Sequence, residues 1–377
     1  MTVQESPASA FDRATMQRCL ELARTAIGRT APNPLVGSVI VNQGNVIGEG
    51  FHPQAGEPHA EVFALRQAGD RARGATLYVN LEPCSHTGRT PPCAEAIIQA
   101  GLARVVVGMV DPNPLVAGQG IARLRQAGIE VHVGIEATDC QTLNEAFIHR
   151  MQHHQPFGIF KYAMTLDGKI AASTGHSHWI TSPTARQKVH QLRASCDAVI
   201  VGGNTVRQDN PHLTTHDQAG SNPLRVVMSR SLDLPTDANL WHTAVAPTIV
   251  LTESGANSEV KAALLKQAVE VIELPDLTPQ SVMAQLYDRG CLSVLWECGG
   301  TLAATAMQQA CIHKVWAFIA PKIIGGSGGF TPVGDMGLSQ MTEALPITRL
   351  NIQSIGPDFL LEGYLPVENP VINDPIP

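Results

Sequence analysis

The chain has 377 residues, 44% of them hydrophobic and 16% charged, with a formal net charge of −7 and a mean hydropathy of +0.02. That length exceeds what one hydrophobic core usually serves, so two domains are expected. The acidic balance argues against a broad footprint on nucleic acid or an anionic membrane, while leaving room for a small basic pocket around one phosphate.

The first ten residues are polar and lack the apolar core of a secretory signal. No apolar run approaches the roughly 18 residues that a spanning helix needs. Eight cysteines lie scattered along the chain, a pattern that fits reduced thiols better than a disulfide framework. The expectation is a cytoplasmic protein with small-molecule partners and neither nucleic acid nor membrane. Oligomeric state stays open, a homo-oligomer included.

Asp12 can cap a helix reaching about Gly28, with Met16, Leu20, Ala23 and Ile27 on one stripe. Pro32-Asn33-Pro34 forces an extended loop. Two β-rich runs, residues 37–41 and 46–50, flank Asn42-Gln43-Gly44-Asn45 and predict a hairpin. A helix follows over 59–68 with Gly69 at its end, then a strand over 75–81. Next come a helix over 91–100 with proline in its first turn and an apolar β-branched strand over 104–110. A helix near 120–126 and a strand over 129–133 complete an alternating α/β series.

The chemistry concentrates between His59 and Cys93. His59-Ala60-Glu61 is followed by Pro83-Cys84 and then Cys93, the order of the zinc-deaminase signature. One histidine and two cysteines leave a tetrahedral zinc one ligand short, which marks a catalytic site. His59 and Glu61 fall at the start of one predicted helix, and Cys84 and Cys93 near the start of the next. Helix N-termini favour negative charge and so suit thiolate ligands. One zinc per chain would activate water for attack on an amidine-like carbon, with Glu61 shuttling the proton as general acid/base. Eight residues separate the cysteines where the general signature has two.

Residues 30–37 (T-A-P-N-P-L-V-G), 56–61 (G-E-P-H-A-E) and 81–93 (L-E-P-C-S-H-T-G-R-T-P-P-C) closely resemble the bifunctional riboflavin-biosynthesis deaminase–reductases. The likeness runs from about Ala14 to Gly363, and the long gap between the cysteines belongs to this family's narrower pattern. Asn80 departs from it, where threonine is expected. The resemblance implies a cytidine-deaminase-like three-layer N-terminal domain (1–148). It also implies a dihydrofolate-reductase-like α/β C-terminal domain (149–377) that uses NADPH. The implied substrate is 2,5-diamino-6-ribosylamino-4(3H)-pyrimidinone 5′-phosphate, deaminated first and then reduced from ribosyl to ribityl. By the same resemblance His86 and Arg89 contact the substrate, and Asn33 and His52 read its pyrimidine or sugar.

The first lysine of the chain is Lys161, and the polar stretch from Arg150 to Pro156 reads as a linker. Beyond it, a strand over 157–163 leads to an Asp167-Gly168 turn. A helix over 183–194 is capped by Ser182 with Pro183 at its first position. Strands are predicted over 197–201, 224–228, 248–251, 269–274, 292–297 and 315–319, with helices over 258–267, 279–287 and 302–310 between them. Gly202-Gly203 and Gly299-Gly300 each follow an apolar strand and precede a helix, a turn that aims backbone N–H groups at phosphate.

The stretches L-D-G-K-I-A, W-I-T-S and W-E-C-G-G-T-L resemble the family's reductase half. That resemblance implies that Trp179, Thr205, Asp209, Gly299, Gly300, Thr301, Leu302, Ala303, Ala304 and Thr305 hold the nucleotide. Ser177, Arg193, Leu213 and Glu297 then face the substrate, with Arg193 foremost for its phosphate. Ser229-Arg230 stands where the family has Asp-Ser, and this pair can bind the nucleotide's 2′-phosphate. Two other readings use part of these residues. A nucleoside or nucleic-acid deaminase leaves the second domain unexplained. A non-catalytic zinc-stabilised binding protein needs a fourth protein ligand and has no use for Glu61.

Overall fold

The computed structural model describes residues 9–85, 92–114, 116–216, 218, 220–326 and 330–366. The chain divides into two compact units, Met1–His154 and Gln155–Pro377.

In the first unit, helix α1 (Ala10–Arg24) is capped by Ser9, not Asp12. Ser9 Oγ accepts from the Asp12 backbone, and Asp12 closes a capping box from the third helical position. The Asp12 carboxylate then accepts from Tyr78 Oη (2.7 Å) and Arg104 Nη1 (3.0 Å), pinning α1 to the sheet. Strands β1 (Gly37–Asn42) and β2 (Asn45–Phe51) form the expected hairpin. Its turn residues Gln43 and Gly44 both adopt positive φ, as tight hairpin turns require.

Helix α2 (Ala60–Ala68) lies against the hairpin so closely that a Cβ on Gly48 or Gly50 would fall 2.2 or 2.3 Å from an α2 carbonyl. There follow β3 (Thr76–Leu81), α3 (Cys93–Gln99), β4 (Arg104–Met109), α4 (Gln119–Gln126) and β5 (Glu130–Val133). The helix predicted from residue 91 begins at Cys93, with Pro92 as its N-cap. Residues 150–156, read above as a linker, are helical to His153. Two helices, α5 (Ala137–Leu143) and α6 (Glu145–His153), close the unit, and α6 buries Phe147 and His149 behind a polar outer face.

The sheet order is β2-β1-β3-β4-β5, antiparallel across the first two pairings and parallel across the last two. Strand alternation sorts the layers. Ile40, Leu77, Val79, Val105 and Val107 pack with Ala64, Ile97 and Leu124 of α2, α3 and α4. On the other face, Tyr78 meets α1 and Gly108 meets Cys140 of α5. This is the three-layer arrangement expected.

The second unit comprises β6 (Phe157–Thr165), α7 (Pro183–Ser195), β7 (Ala198–Gly202), α8 (Gly203–Asp209), β8 (Leu224–Met228), β9 (Thr248–Glu253) and α9 (Ser258–Lys266). It continues with β10 (Glu270–Leu274), α10 (Pro279–Asp288), β11 (Ser293–Trp296), α11 (Gly300–Gln308), β12 (Lys314–Ala320), β13 (Thr348–Ile355) and β14 (Asp358–Tyr364). Nine strands run in the order β10-β9-β8-β7-β11-β6-β12-β14-β13. The seven from β10 to β12 pair in parallel, and β14 and β13 add an antiparallel edge. This closing hairpin is absent from the sequence expectation. Trp296 sits at the centre of the core, its indole donating to Cys311 O (3.1 Å). Both units are therefore α/β, as expected.

Candidate active sites

The first site forms where β3 ends and α2 and α3 begin. His59 is the N-cap of α2, Cys93 opens α3, and Cys84 lies in the loop after β3. His59 Nδ1 is 3.6 Å from Cys84 Sγ and 3.3 Å from Cys93 Sγ, and the Cys93 backbone N–H points at Cys84 Sγ (3.3 Å). The ligand atoms of all three residues lie within 4.8 Å of one another. An imidazole nitrogen and two sulfurs at this spacing fit a zinc ion with one coordination position left over.

Glu61, in the first turn of α2, is 3% exposed. Among the described residues its Oε2 has no hydrogen-bond partner. Burial raises its pKa, with His59 working in the opposite direction. The Cys84 thiol is pulled down, first by its contact with Cys93 and then by His59. A buried carboxylate oxygen left unsatisfied is costly, and such groups concentrate where chemistry needs them.

Two residues behind the metal site fix each other. His52, 2% exposed, stands edge-on to His59 at 5.5 Å between ring centroids. Its Nδ1 is 3.1 Å from Pro58 O, which can only accept, so Nδ1 carries the proton. His52 Nε2 therefore accepts from Asn33 Nδ2 (3.0 Å), which fixes the orientation of the Asn33 amide. The sequence reading missed the supports of this segment. Asn80 Oδ1 accepts from Gly37 N (2.8 Å), and Asn80 Nδ2 donates to Leu35 O (2.9 Å). Asn144, 109 residues away in sequence, both accepts from and donates to the Leu35 backbone. Asn80 was visible only as a departure from the family pattern, and Asn144 carried no signal. His86 and Arg89 lie outside the described residues.

The second site gathers at the carboxyl ends of the parallel strands, where open α/β sheets bind ligands. Glu297 follows β11, and Arg193 reaches it from α7. Arg193 Nε and Nη2 make paired bonds to the two carboxylate oxygens at 2.9 and 3.1 Å, and Nη1 donates to Thr214 O. Lys161 Nζ on β6 is 3.9 Å from the same carboxylate. Burial pushes Glu297 up, but Arg193 and then Lys161 outweigh it and hold its pKa below the usual value; burial pulls Lys161 down. His190 and His216 stack beside this group with ring centroids 4.2 Å apart. Leu213 is buried with φ +52°, a strained conformation for a leucine.

The two glycine turns sit at neighbouring strand ends. Gly202 caps α8, which carries Thr205 and Asp209, and Ser177 Oγ donates to Asp209 at 3.4 Å. Gly299 caps α11, and Gly300 is packed so tightly that a Cβ would lie 2.7 Å from Thr331 O. The residues expected to hold the nucleotide divide here. Gly299 and Thr301 are exposed, Leu302 and Thr305 half-buried, and Ala303 and Ala304 turned into the core. The N–H groups of a helix's first turn lack intrahelical partners, which is what suits a helix start to an anion.

Ser229 is buried at the end of β8 with its Oγ 3.2 Å from where a Cβ on Gly203 would sit. The Arg230 side chain is 73% exposed and pairs with Glu253 at 3.4 Å. Trp179 is exposed with φ +63°, and the Arg186 guanidinium lies 4.4 Å above its ring. Asp167 accepts from the backbone of Gly325 (2.7 Å) and from Thr165 Oγ1 (2.6 Å), so it organises a turn.

A catalytic-type zinc site in one α/β unit and two strand–Gly–Gly–helix turns in a second define a two-domain α/β enzyme. Residues 9–109 match the cytidine and deoxycytidylate deaminase zinc-binding region, and residues 156–361 match the RibD C-terminal domain. The chain is 65% identical to riboflavin biosynthesis protein RibD of Synechocystis over 94% of its length and 96% of that protein. It is 38% identical to the crystal structure of a Thermotoga maritima protein described as a diaminohydroxyphosphoribosylaminopyrimidine deaminase/5-amino-6-(5-phosphoribosylamino)uracil reductase. The TM-score is 0.84, covering 94% of this chain and 99% of that one. It is also 46% identical to the Arabidopsis chloroplastic riboflavin biosynthesis protein PYRR, of which it spans 61%. The chain belongs to the RibD family of riboflavin-biosynthesis proteins, and is an enzyme with a zinc-binding deaminase unit and a reductase unit.

Proposed function

We propose that the two units catalyse successive steps on one small molecule, 2,5-diamino-6-ribosylamino-4(3H)-pyrimidinone 5′-phosphate. The first, Met1–His154, removes the 2-amino group as ammonia; its boundary falls after helix α6 and not at residue 148. The second converts the ribosyl side chain to ribityl at the expense of NADPH. The observation that carries this reading is the convergence of His59, Cys84 and Cys93 beside Glu61, whose buried Oε2 has no hydrogen-bond partner among the described residues, in a chain that also holds two strand–Gly–Gly–helix turns.

His59, Cys84 and Cys93 would hold one zinc. When bound, zinc supplies Lewis acidity that brings the pKa of water to about 7. Glu61 takes the proton at Oε2 and delivers it to the departing amine. Asn33, its amide oriented by His52, reads the pyrimidine edge, and His86 and Arg89 contact the ribose phosphate.

In the second unit, bound NADPH supplies a hydride to the ring-opened ribosyl C1. Trp179, Thr205, Asp209, Gly299, Gly300, Thr301, Leu302 and Thr305 would hold the nucleotide, and Ser229 and Arg230 would serve its 2′-phosphate; Ala303 and Ala304, buried in the core, would only shape the turn. Arg193 and Glu297 enter substrate binding as one ion-paired unit, with Ser177 and Leu213 beside them.

Among the described residues no helix is long and apolar enough to cross a membrane. A cytoplasmic enzyme without nucleic-acid or membrane partners fits the acidic balance. Ten of the sixteen large apolar side chains exposed among the described residues fall between Ile323 and Phe359, and β13, within that stretch, ends the strand order of the second sheet. Exposed strand edges can pair between copies of a chain, so a homo-oligomer is part of this reading, checked by sedimentation of the full chain.

The test is a two-product assay. Zinc-loaded protein should release ammonia from the diaminopyrimidine without any nicotinamide nucleotide, and should form the ribitylamine only when NADPH is added. Ribitylamine formation as fast with NADH would refute the cofactor choice. Ammonia release that stops without NADPH would refute independent sites.

A further inference from the structure

One buried acid next to the metal site has no part in the chemistry above. Glu82 is 5% exposed and precedes Pro83-Cys84. Among the described residues it forms no salt bridge; its carboxylate is instead surrounded by backbone donors. Oε2 accepts from Asp111 N (3.1 Å) and Gly118 N (2.9 Å), and Oε1 accepts from Ile121 N (3.1 Å). Asp111 and Gly118 stand at the two ends of the loop that follows β4. Ile121 is the third residue of α4, whose own N-cap, Gly118, has no side chain to offer. One carboxylate therefore closes a loop and caps a helix from 36 residues away in sequence.

The same contact reaches towards the metal ligands. Pro83 O lies 2.0 Å from where a Cβ on Gly120 would sit, so only glycine allows the approach. Glu82 N donates to Met109 O (2.9 Å) and holds the ends of β3 and β4 in register. Because β3 and β4 are parallel, the Cys84 loop and the 111–118 loop leave the sheet at the same edge, the one where α/β sheets bind ligands.

We infer that Glu82 is a positioning residue for deamination. It acts through the loop after β4, which it holds as a wall of the pyrimidine site, and touches neither metal nor substrate. This rests on the deaminase reading above.

The test compares full-length zinc-loaded wild type with Glu82→Gln, which keeps the size but sets an NH2 group against backbone donors. KM for the diaminopyrimidine should rise about tenfold or more, the scale of one hydrogen bond to a charged group. The kcat should stay within about threefold, with zinc content and reductase activity unchanged. Hydrogen exchange across 111–121 should rise. An unchanged KM overturns the inference, as does a fall in kcat and zinc content at constant KM, which would make Glu82 a support of the metal. If the first unit of Glu82→Gln is unfolded at the assay temperature, shown by loss of hydrogen-exchange protection throughout β1 to β4, Glu82→Asp takes its place with the same criteria. A wild type that releases no ammonia sinks the functional reading; an active wild type with an indifferent Glu82→Gln sinks this inference alone.

Discussion

The two sites are built in opposite ways. The deaminase centre draws its three ligands and its acid/base group from one stretch, His59 to Cys93. The reductase site assembles strand ends from Lys161 to Gly300, and much of it is backbone. A metal ion demands particular donor atoms, so its site is written in rare residues at fixed spacing. A phosphate at a helix terminus demands N–H groups, which every residue but proline supplies. The first kind of site is specific in sequence and the second in topology.

The contrast implies that the units fail separately. Glu61→Gln should slow ammonia release by about 10² to 10⁴-fold, the usual share of a positioned acid/base group, while zinc content and reductase activity stand. A parallel loss of reduction would break the comparison. Arg193→Met leaves the Glu297 carboxylate buried without its paired guanidinium, a change that typically costs about 3–5 kcal/mol. Urea unfolding should show that loss in the second unit together with lost reduction, while deamination persists. An unchanged unfolding midpoint would mean that the pair contributes nothing to the fold.

The smallest effect concerns pH. Burial, His216 and Arg193 push His190 down to about 4 from an ordinary 6.5. The unfolded chain then takes up the proton first as pH falls, so the contribution of neutral His190 is complete above about 6.5 and lost towards about 4. The unfolding midpoint of His190→Gln should therefore fall less steeply than wild type across that window. Equal slopes would remove His190 from the acid response.

Most of the layered fold was legible because apolar alternation and Gly/Asn turns set strand positions directly. The hairpin at 37–51 and the helix opening at Pro183 are examples. The failures have physical causes. Helix α6 looked like a linker because its buried face is only Phe147 and His149 against a run of polar residues. The β13–β14 hairpin escaped because β13 is exposed along nearly its whole length, so burial never shaped its sequence. At the site, the ligands and Glu61 were readable as a motif. The Asn80 and Asn144 clamp on Leu35 was not, since each asparagine acts on backbone far away in sequence.

The bare faces of Gly48 and Gly50 have a reach beyond the hairpin. With α2 carbonyls less than 2.5 Å from any Cβ built there, even a methyl group would lift the helix by an ångström or more. His59 and Glu61 ride on the first turn of that helix, whereas Cys84 and Cys93 are anchored elsewhere. The absence of two side chains thus works as a shim, setting the height at which the imidazole and carboxylate meet the sulfurs. Natural variation at these two positions should be narrower than at many residues nearer the metal.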